Sequence, residues 1–221
     1  MLRPTIHAII YFFIHAVILF GSAGRIDWVM AWLYLFIHAA SAVVLFFLGD
    51  EEMIQIRSSK EEGVKRWDKV LVVISVVLFS PVTFFIAGLD YGRFQWTPPL
   101  PIVVQYVALL FFTFGMSFST WAMVSNKFFV KFIKIQLDRN HSVVTHGPYK
   151  YVRHPGYAGA VFAMIALPIA FGSLWALIPA VLGMSLLVIR TFFEDQILQN
   201  ELKGYKEYVV QVRWRLLPGI W

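Results

Sequence analysis

Residues 157–189 read YAGAVFAMIALPIAFGSLWALIPAVLGMSLLVI, an apolar region too long for a single membrane span. A helix needs about 20 residues to cross the roughly 30 Å hydrocarbon core of a bilayer. The region is interrupted at Phe171-Gly172-Ser173, with Pro168 and Pro179 on either side. Gly and Pro are tolerated between membrane helices where neighbouring helices satisfy the freed backbone groups. The pattern therefore predicts a tight helical hairpin whose two arms form membrane segments five and six.

Four further apolar stretches precede this region and have the length and composition expected of membrane spans. They cover approximately residues 5–20, 28–48, 70–89 and 101–124. The chain of 221 residues is 59% hydrophobic and 14% charged, whereas soluble domains carry roughly 25% charged residues. The sequence therefore predicts an all-α integral membrane protein with four transmembrane helices and a C-terminal helical hairpin, which makes about six membrane segments.

The basic residues are distributed unevenly between the two sides of these segments. One precedes the first stretch, five lie between the second and third, six between the fourth and the hairpin, and four follow it. Only Arg25 and Arg93 lie in the opposite loops. Because cytoplasmic loops are enriched in Lys and Arg, both termini are predicted to be cytoplasmic. The same rule explains the net charge of +6 without a nucleic-acid partner. The connector 50–68, mixed in charge, is predicted to be exposed.

Metal and thiol chemistry find little support in the sequence. The chain has no cysteine, which excludes disulfides, Cys-ligated metals and a thiol nucleophile. His7, His15 and His38 lie in apolar stretches without acidic partners at metal-ligand spacing. Neither a phosphate-binding loop nor a nucleophile elbow is present.

A dense polar and aromatic segment, HSVVTHGPYKYVRHPGYAG at residues 141–159, lies just before and at the start of the hairpin. Pro155 suits the first turn of a helix, so the hairpin's first arm is predicted to start there. Unpaired N–H groups at such a helix N-terminus can bind a carboxylate. The simpler alternative is that His154 caps the helix and Arg153 extends to lipid head groups. The concentration of polar side chains in one segment favours a functional site.

A second polar pair, Arg190 and Glu194, lies four residues apart and therefore on one helix face. The simpler interpretation is an exposed intrahelical ion pair, which would contribute well under ~1 kcal/mol. Alternatively, the arginine can receive an anionic group through two hydrogen bonds, and the glutamate can hold a cationic or hydroxylated ligand.

Three motifs together resemble the isoprenylcysteine carboxyl methyltransferase family, which is related to the membrane phospholipid methyltransferases. They are H-x-V-V-T-x-G-P-Y-x-Y-V-R-H-P-x-Y-x-G from residue 141, R-x-x-x-E-D from residue 190, and Y-x-x-Y-x-x-x-V-R-x-R-L-L-P-G-I-W from residue 205. The resemblance covers about residues 101–221, and because the chain shows no internal repeat, low-complexity tract or soluble second domain, residues 1–221 are predicted to form a single membrane domain. In it, residues 1–100 supply variable N-terminal spans and residues 101–221 form a methyltransferase core.

The resemblance also implies a cofactor and a site. S-adenosylmethionine would bind in a cytosol-facing pocket closed by the C-terminal tail, and a lipophilic or prenylated acceptor would enter from the bilayer. Arg190 matches the arginine that holds the acceptor's carboxylate, so Arg190 and Glu194 are the expected catalytic pair. Asp195 stands where many relatives have a second glutamate, and its role is left open. The residues implied to line the cofactor pocket are Gln136, His141, Ser142, Val143, Val144, Tyr149, His154, Pro155, Gly156, Tyr157 and Glu194.

The expected function is thus methyl transfer from S-adenosylmethionine to a lipophilic acceptor, with no metal and no nucleic acid. Arg190 favours a carboxylate as the acceptor, and a lipid amine is an alternative. Membrane sterol reductases, which use NADPH, share the R-H-P-x-Y-x-G stretch but usually carry Asn and an acid where this chain has Gly156 and Ala160. A transporter or scaffold would distribute polar residues through the spans, whereas here they gather at one predicted edge.

Overall fold

The structure is a computed structural model that describes residues 2–48 and 64–221, with side chains described from residue 9 onward. Within those ranges the fold contains seven helices and no strand. Residues 50–63 of the predicted connector lie outside the described residues. The helices are α1 (Leu2–Ala23), α2 (Val29–Leu48), α3 (Arg66–Phe94), α4 (Ile102–Ser125), α5 (Pro155–Ala170), α6 (Leu177–Glu201) and α7 (Tyr205–Gln211).

Each predicted apolar stretch forms a helix, and the predicted hairpin is confirmed. Helix α5 ends at Ala170, and the chain turns through Gly172, whose φ of +79° favours glycine, before α6 begins. Among the described residues, α2, α3, α4 and α6 are long and apolar enough to cross a membrane, as expected of a multi-pass membrane protein. Helix α5 has 16 residues and spans about 24 Å, which is shorter than a hydrocarbon core of roughly 30 Å.

Helix α3 departs from regular α-helical geometry at two places. Its α-helical parts are separated by a π-helical turn over Leu78–Val82, and a second such turn ends the helix over Leu89–Phe94. Pro81 lies inside the first turn, and it has no backbone N–H to donate to the helix. The wider turn accommodates this residue without ending the helix.

Helices α4 and α5 pack against each other at close range. A Cβ added to Gly115 would lie 2.5 Å from the carbonyl oxygen of Gly159, so the two backbones approach too closely for a larger residue. One turn further along, Ser119 Oγ donates to the Gly156 carbonyl oxygen at 2.8 Å. This contact fixes the start of α5 beside the end of α4.

A buried carboxylate joins the elements at the other end of the bundle. Asp90, which is 1% exposed, lies in the last turn of α3. It accepts hydrogen bonds from the Thr97 backbone N–H at 2.8 Å, from Thr97 Oγ1 at 2.6 Å and from Ser173 Oγ at 2.6 Å. These bonds tie the loop before α4 to the turn of the α5–α6 hairpin.

Candidate active site

A pocket lies between the end of α4, the start of α5 and the C-terminal half of α6, and α7 contributes Tyr205 and Tyr208 to its lining. The loop between α4 and α5 forms one wall of it. Most of the predicted cofactor residues line this pocket, although they come from the loop, α5 and α6. These are His141, Ser142, Val143, Val144, Tyr149, His154, Gly156, Tyr157 and Glu194.

Two residues predicted to bind the cofactor, Gln136 and Pro155, do not line the pocket. The Gln136 side chain is buried, where its Nε2 donates to the Phe128 carbonyl oxygen at 2.9 Å and its Oε1 accepts from Arg139 Nη1 at 2.7 Å. It therefore shapes the loop from behind the pocket wall. Pro155 is the first residue of α5, as predicted, and it is also buried.

His141 lies in the wall formed by the loop. Its ring stacks on that of Phe128 with centroids 4.4 Å apart, and its Nδ1 accepts a hydrogen bond from the Gln136 backbone N–H at 3.3 Å. Burial lowers the pKa of His141, and the nearby Arg139 guanidinium lowers it further. The ring is therefore neutral at pH 7, because its ordinary pKa is already about 6.5.

This lowered pKa predicts a pH dependence of stability. The unfolded chain binds a proton at His141 more readily than the folded protein, so stability is present above about pH 6.5 and falls as the pH falls below it. We expect the wild-type Tm to drop by roughly 1–3 °C more than that of His141→Gln between pH 7.5 and pH 5.5. Thermal unfolding of both proteins in the same detergent measures this. Equal losses would show that His141 does not couple stability to pH.

On α6, Arg190 lies at the centre of a polar cluster beside the pocket. Its Nη1 donates to the Tyr157 hydroxyl, which in turn donates to Glu194 Oε2 at 2.7 Å. The Arg190 Nη1 to Glu194 Oε2 distance is 3.4 Å, which confirms that the two side chains share a helix face. Because the Arg190 side chain is only 3% exposed, an exposed surface pair is excluded.

The main partner of Arg190 was not identified from the sequence. Arg190 Nε donates to Asp68 Oδ1 at 2.7 Å, and Nη2 donates to the Lys131 carbonyl oxygen at 3.0 Å. Asp68 is completely buried in the first turn of α3, so the prediction that the connector is exposed is wrong at this residue. The sequence offers one signal for this contact: Asp68 lies directly before an apolar span. A carboxylate that is buried there requires a hydrogen-bonding or charged partner.

Asp195, whose role the sequence left open, is the centre of a second cluster. It is completely buried and accepts two hydrogen bonds from Arg153, from Nε at 2.8 Å and from Nη2 at 3.0 Å. Arg215 Nε donates to it at 2.9 Å and the Tyr205 hydroxyl at 3.1 Å. His154 Nε2, from the pocket wall, lies 3.2 Å from Oδ1. One carboxylate thus connects α6 to the start of α5, to α7 and to the C-terminal tail.

Arg153 also holds the C-terminal tail, residues 212–221, by hydrogen bonds to the tail's backbone carbonyl groups. Its Nη1 donates to the carbonyl oxygens of Val212 and Arg213 at 3.0 and 2.8 Å. The Arg153 and His154 backbone N–H groups donate to the carbonyl oxygens of Trp214 and Arg215, both at 2.9 Å. The interpretation of Arg153 as a residue that reaches lipid head groups is therefore wrong, because its guanidinium is buried and fully engaged.

Two tyrosines from α7 complete the pocket wall. Tyr205 donates to Asp195, and the Tyr208 hydroxyl donates to the Tyr149 carbonyl oxygen at 2.7 Å. Burial raises the pKa of Tyr205 and that of Tyr208. Both phenols therefore stay protonated at neutral pH and act as hydrogen-bond donors.

Glu194 is the one carboxylate that lines the pocket, whose described lining also includes aromatic side chains, two histidines, Lys134 and Arg153, the last of them paired with Asp195. The Glu194 side chain is 20% exposed, whereas Asp68 and Asp195 are fully buried against arginines. In the part of the chain that the structure describes, no three His, Asp or Glu side chains are grouped to hold a metal ion. The site therefore suits binding and orientation of a ligand that carries positive charge.

Comparison with known proteins agrees with this arrangement. Over 57 residues, the chain is 37% identical to probable protein-S-isoprenylcysteine O-methyltransferases of Oryza sativa subsp. indica and subsp. japonica. That match covers 25% of this chain and 30% of each rice protein. The chain is also 30% identical over 130 residues to the cobalt-zinc-cadmium resistance protein CzcN of Cupriavidus metallidurans, covering 58% of this chain and 56% of that protein.

The matched family covers the helices that form the site. Residues 103–204 match the phospholipid methyltransferase family, and this range contains nearly all of α4, the loop, α5 and α6. Of the residues that line the pocket, only Tyr205 and Tyr208 lie beyond it. The resemblance predicted from the motifs is confirmed to this extent: residues 103–204 of this chain are similar to the phospholipid methyltransferase family.

Proposed function

We propose that this chain is a membrane methyltransferase that uses S-adenosylmethionine to methylate a lipophilic acceptor drawn from the bilayer. The observation that carries the proposal is the Glu194 carboxylate, exposed to a pocket bounded almost entirely by the methyltransferase-family segment. The bias of basic residues towards this end of the helices supports a pocket that faces the cytoplasm.

The side chains around the pocket suit this cofactor. Glu194 can balance the positive charge of a sulfonium or an amino group. The positive end of the α5 dipole can favour a carboxylate, although the Tyr157 and Ala158 N–H groups already donate to the His154 carbonyl oxygen at 3.1 and 3.0 Å. The rings of Phe128, Tyr149 and Tyr208 offer apolar walls to a nucleobase. The cavity measures about 90 Å³, less than the roughly 300–1,000 Å³ of ligand pockets, so we expect its walls to separate on binding.

When bound, S-adenosylmethionine would supply an electrophilic methyl group, and no covalent enzyme residue is needed. Holding two reactants in line can contribute up to ~7–11 kcal/mol to lowering the barrier. The described residues serve that purpose: Tyr157 and Arg190 fix the Glu194 carboxylate, and Asp195 holds Tyr205 of α7 in the pocket wall. Glu194 can also accept a proton from the acceptor.

The contacts of Arg190 bear on the class of acceptor. The name of the rice relatives supports a carboxylate acceptor, as does the motif that contains Arg190. However, Nε, Nη1 and Nη2 of Arg190 are already engaged by Asp68, Tyr157 and the Lys131 carbonyl oxygen. Arg190 Nη2 also lies 3.5 Å from Asp68 Oδ2 and its Nη1 3.4 Å from Glu194 Oε2, so a carboxylate would have to displace one of these partners. This observation favours a lipid amine, deprotonated by Glu194, as a second candidate acceptor.

One experiment tests the reaction and separates the acceptors. The full-length protein in lipid nanodiscs is incubated with methyl-labelled S-adenosylmethionine, together with either a prenylcysteine or an amino-headgroup lipid. We expect label in the lipophilic fraction. Label released as methanol by mild base indicates a carboxyl ester, and base-stable label indicates an amine. Equilibrium binding is measured in parallel. Binding of NADPH without binding of S-adenosylmethionine would overturn the proposal in favour of a reductase.

A further inference from the structure

Asp68 reaches the site from outside the segment that matches the family. It lies in the first turn of α3, whereas the match begins at residue 103. Its Oδ1 accepts from Arg190 Nε at 2.7 Å, and its Oδ2 accepts from the Ile133 backbone N–H at 2.8 Å. One side chain therefore joins the N-terminal half of the chain to both α6 and the pocket loop.

The two carboxylates beside Arg190 differ in their exposure to solvent. One guanidinium lies between two carboxylates, with Asp68 Oδ1 at 2.7 Å and Glu194 Oε2 at 3.4 Å. The shorter contact is to Asp68, which is completely buried, and the longer one is to Glu194, which is 20% exposed. Since a buried charge must be paired, Asp68 neutralises Arg190 and leaves the charge of Glu194 available to the pocket.

We propose that Asp68 is a positioning residue that keeps Arg190 engaged and so preserves the Glu194 carboxylate as the binding group for the cationic part of the ligand. The inference rests on the proposed function in taking S-adenosylmethionine as that ligand. Without Asp68, the nearest carboxylate to Arg190 is Glu194, at 3.4 Å. Arg190 would then pair with Glu194, and the pocket would lose its negative charge.

The cofactor and its product provide a direct measure of this charge. S-adenosylmethionine carries a sulfonium, and S-adenosylhomocysteine has a neutral thioether in the same place. The ratio of the two affinities therefore measures the pocket's preference for a cation. A general loss of folded protein would leave this ratio unchanged. We expect Asp68→Asn to shift the ratio by about tenfold against S-adenosylmethionine, which corresponds to about 1.4 kcal/mol.

A double variant separates charge from structural damage. In Asp68→Asn/Arg190→Gln both partners of the buried pair are neutral, so no guanidinium is left to pair with Glu194 and the ratio is expected to return to the wild-type value. This variant leaves no isolated buried charge, and it remains informative if Asp68→Asn alone fails to fold. Adding Glu194→Gln to it should shift the ratio as Asp68→Asn does.

The matched control is Asp90→Asn, which neutralises an equally buried carboxylate at the other end of α3. It should leave the ratio unchanged. An unchanged ratio in folded Asp68→Asn, or a double variant that does not recover it, would overturn the inference while the proposed function stands. A wild-type protein that binds neither compound would instead remove the proposed function. All affinities are measured by calorimetry on the full chain in nanodiscs.

Discussion

Asp195→Ala is expected to lower the free energy of unfolding by about 3–5 kcal/mol and to release the C-terminal tail from the bundle. Asp195 is completely buried and receives both Arg153 and Arg215. Its removal leaves the Arg153 guanidinium, 3% exposed, without its counterion. Thermal unfolding should show the loss, and limited trypsin digestion should show faster cleavage after Arg213 and Arg215.

The control for this substitution is Asp27→Ala. Asp27 pairs with Arg25 at 2.6 Å, but the two side chains are 66% and 42% exposed. Ion pairs between exposed side chains contribute little to stability because water and salt screen them, so the variant should unfold almost as the wild type does. A wild-type Tm and wild-type tryptic pattern for Asp195→Ala would contradict the role assigned to this cluster.

Much of the site could be predicted because its residues lie close together in the sequence. The stretch from His141 to Tyr157 supplies a pocket wall and the start of α5, and Pro155 marks that helix start by its fixed φ. The i,i+4 spacing of Arg190 and Glu194 places them on one face of α6. These features depend on local geometry, which a sequence displays directly.

The polar partners of the arginines depend on tertiary packing and could not be predicted in the same way. Asp68 and Arg190 are separated by 122 positions, and no periodicity connects them. Arg153, for which a position at the membrane surface was the simpler alternative, pairs with Asp195, 42 positions away. Both arginines lie in the motifs from which the site is predicted. What each contacts follows from how α3, α5 and α6 pack together.

Gln136 illustrates a different limit. It lies a few residues before the pocket motif, but its side chain turns back to the Phe128 carbonyl oxygen and leaves the wall to His141 and Ser142. Proximity in sequence does not specify the direction of a side chain where the backbone is irregular. The loop from 126 to 154 contains only two short 3₁₀ turns, so no helical or strand period applies to it.

Glu194→Gln is expected to reduce methyl transfer by at least about 100-fold while leaving the Tm close to that of the wild type. The substitution removes the negative charge that faces the pocket and the group that can accept a proton, and the loss of a positioned acid or base typically costs 10²–10⁴-fold. The fold should tolerate the change because Arg190 keeps Asp68 as its counterion and Gln can still accept from the Tyr157 hydroxyl. Initial rates with labelled S-adenosylmethionine and thermal unfolding provide the two measurements.

Glu201→Gln is the matched control on the same helix, because Glu201 ends α6 and its ion pair within the described part of the chain is an exposed contact of 3.6 Å with Lys65. It makes the same change in net charge away from the pocket, so its rate should equal that of the wild type. Tyr157→Phe removes the hydroxyl between Arg190 and Glu194. Its rate of methyl transfer should lie between those of Glu194→Gln and Glu201→Gln, because the Glu194 carboxylate keeps its charge but loses a donor that orients it. Full activity in folded Glu194→Gln would mean that the pocket's charge plays no part in the reaction. Methyl transfer would then have to rely on the aromatic walls and the α5 N-terminus alone.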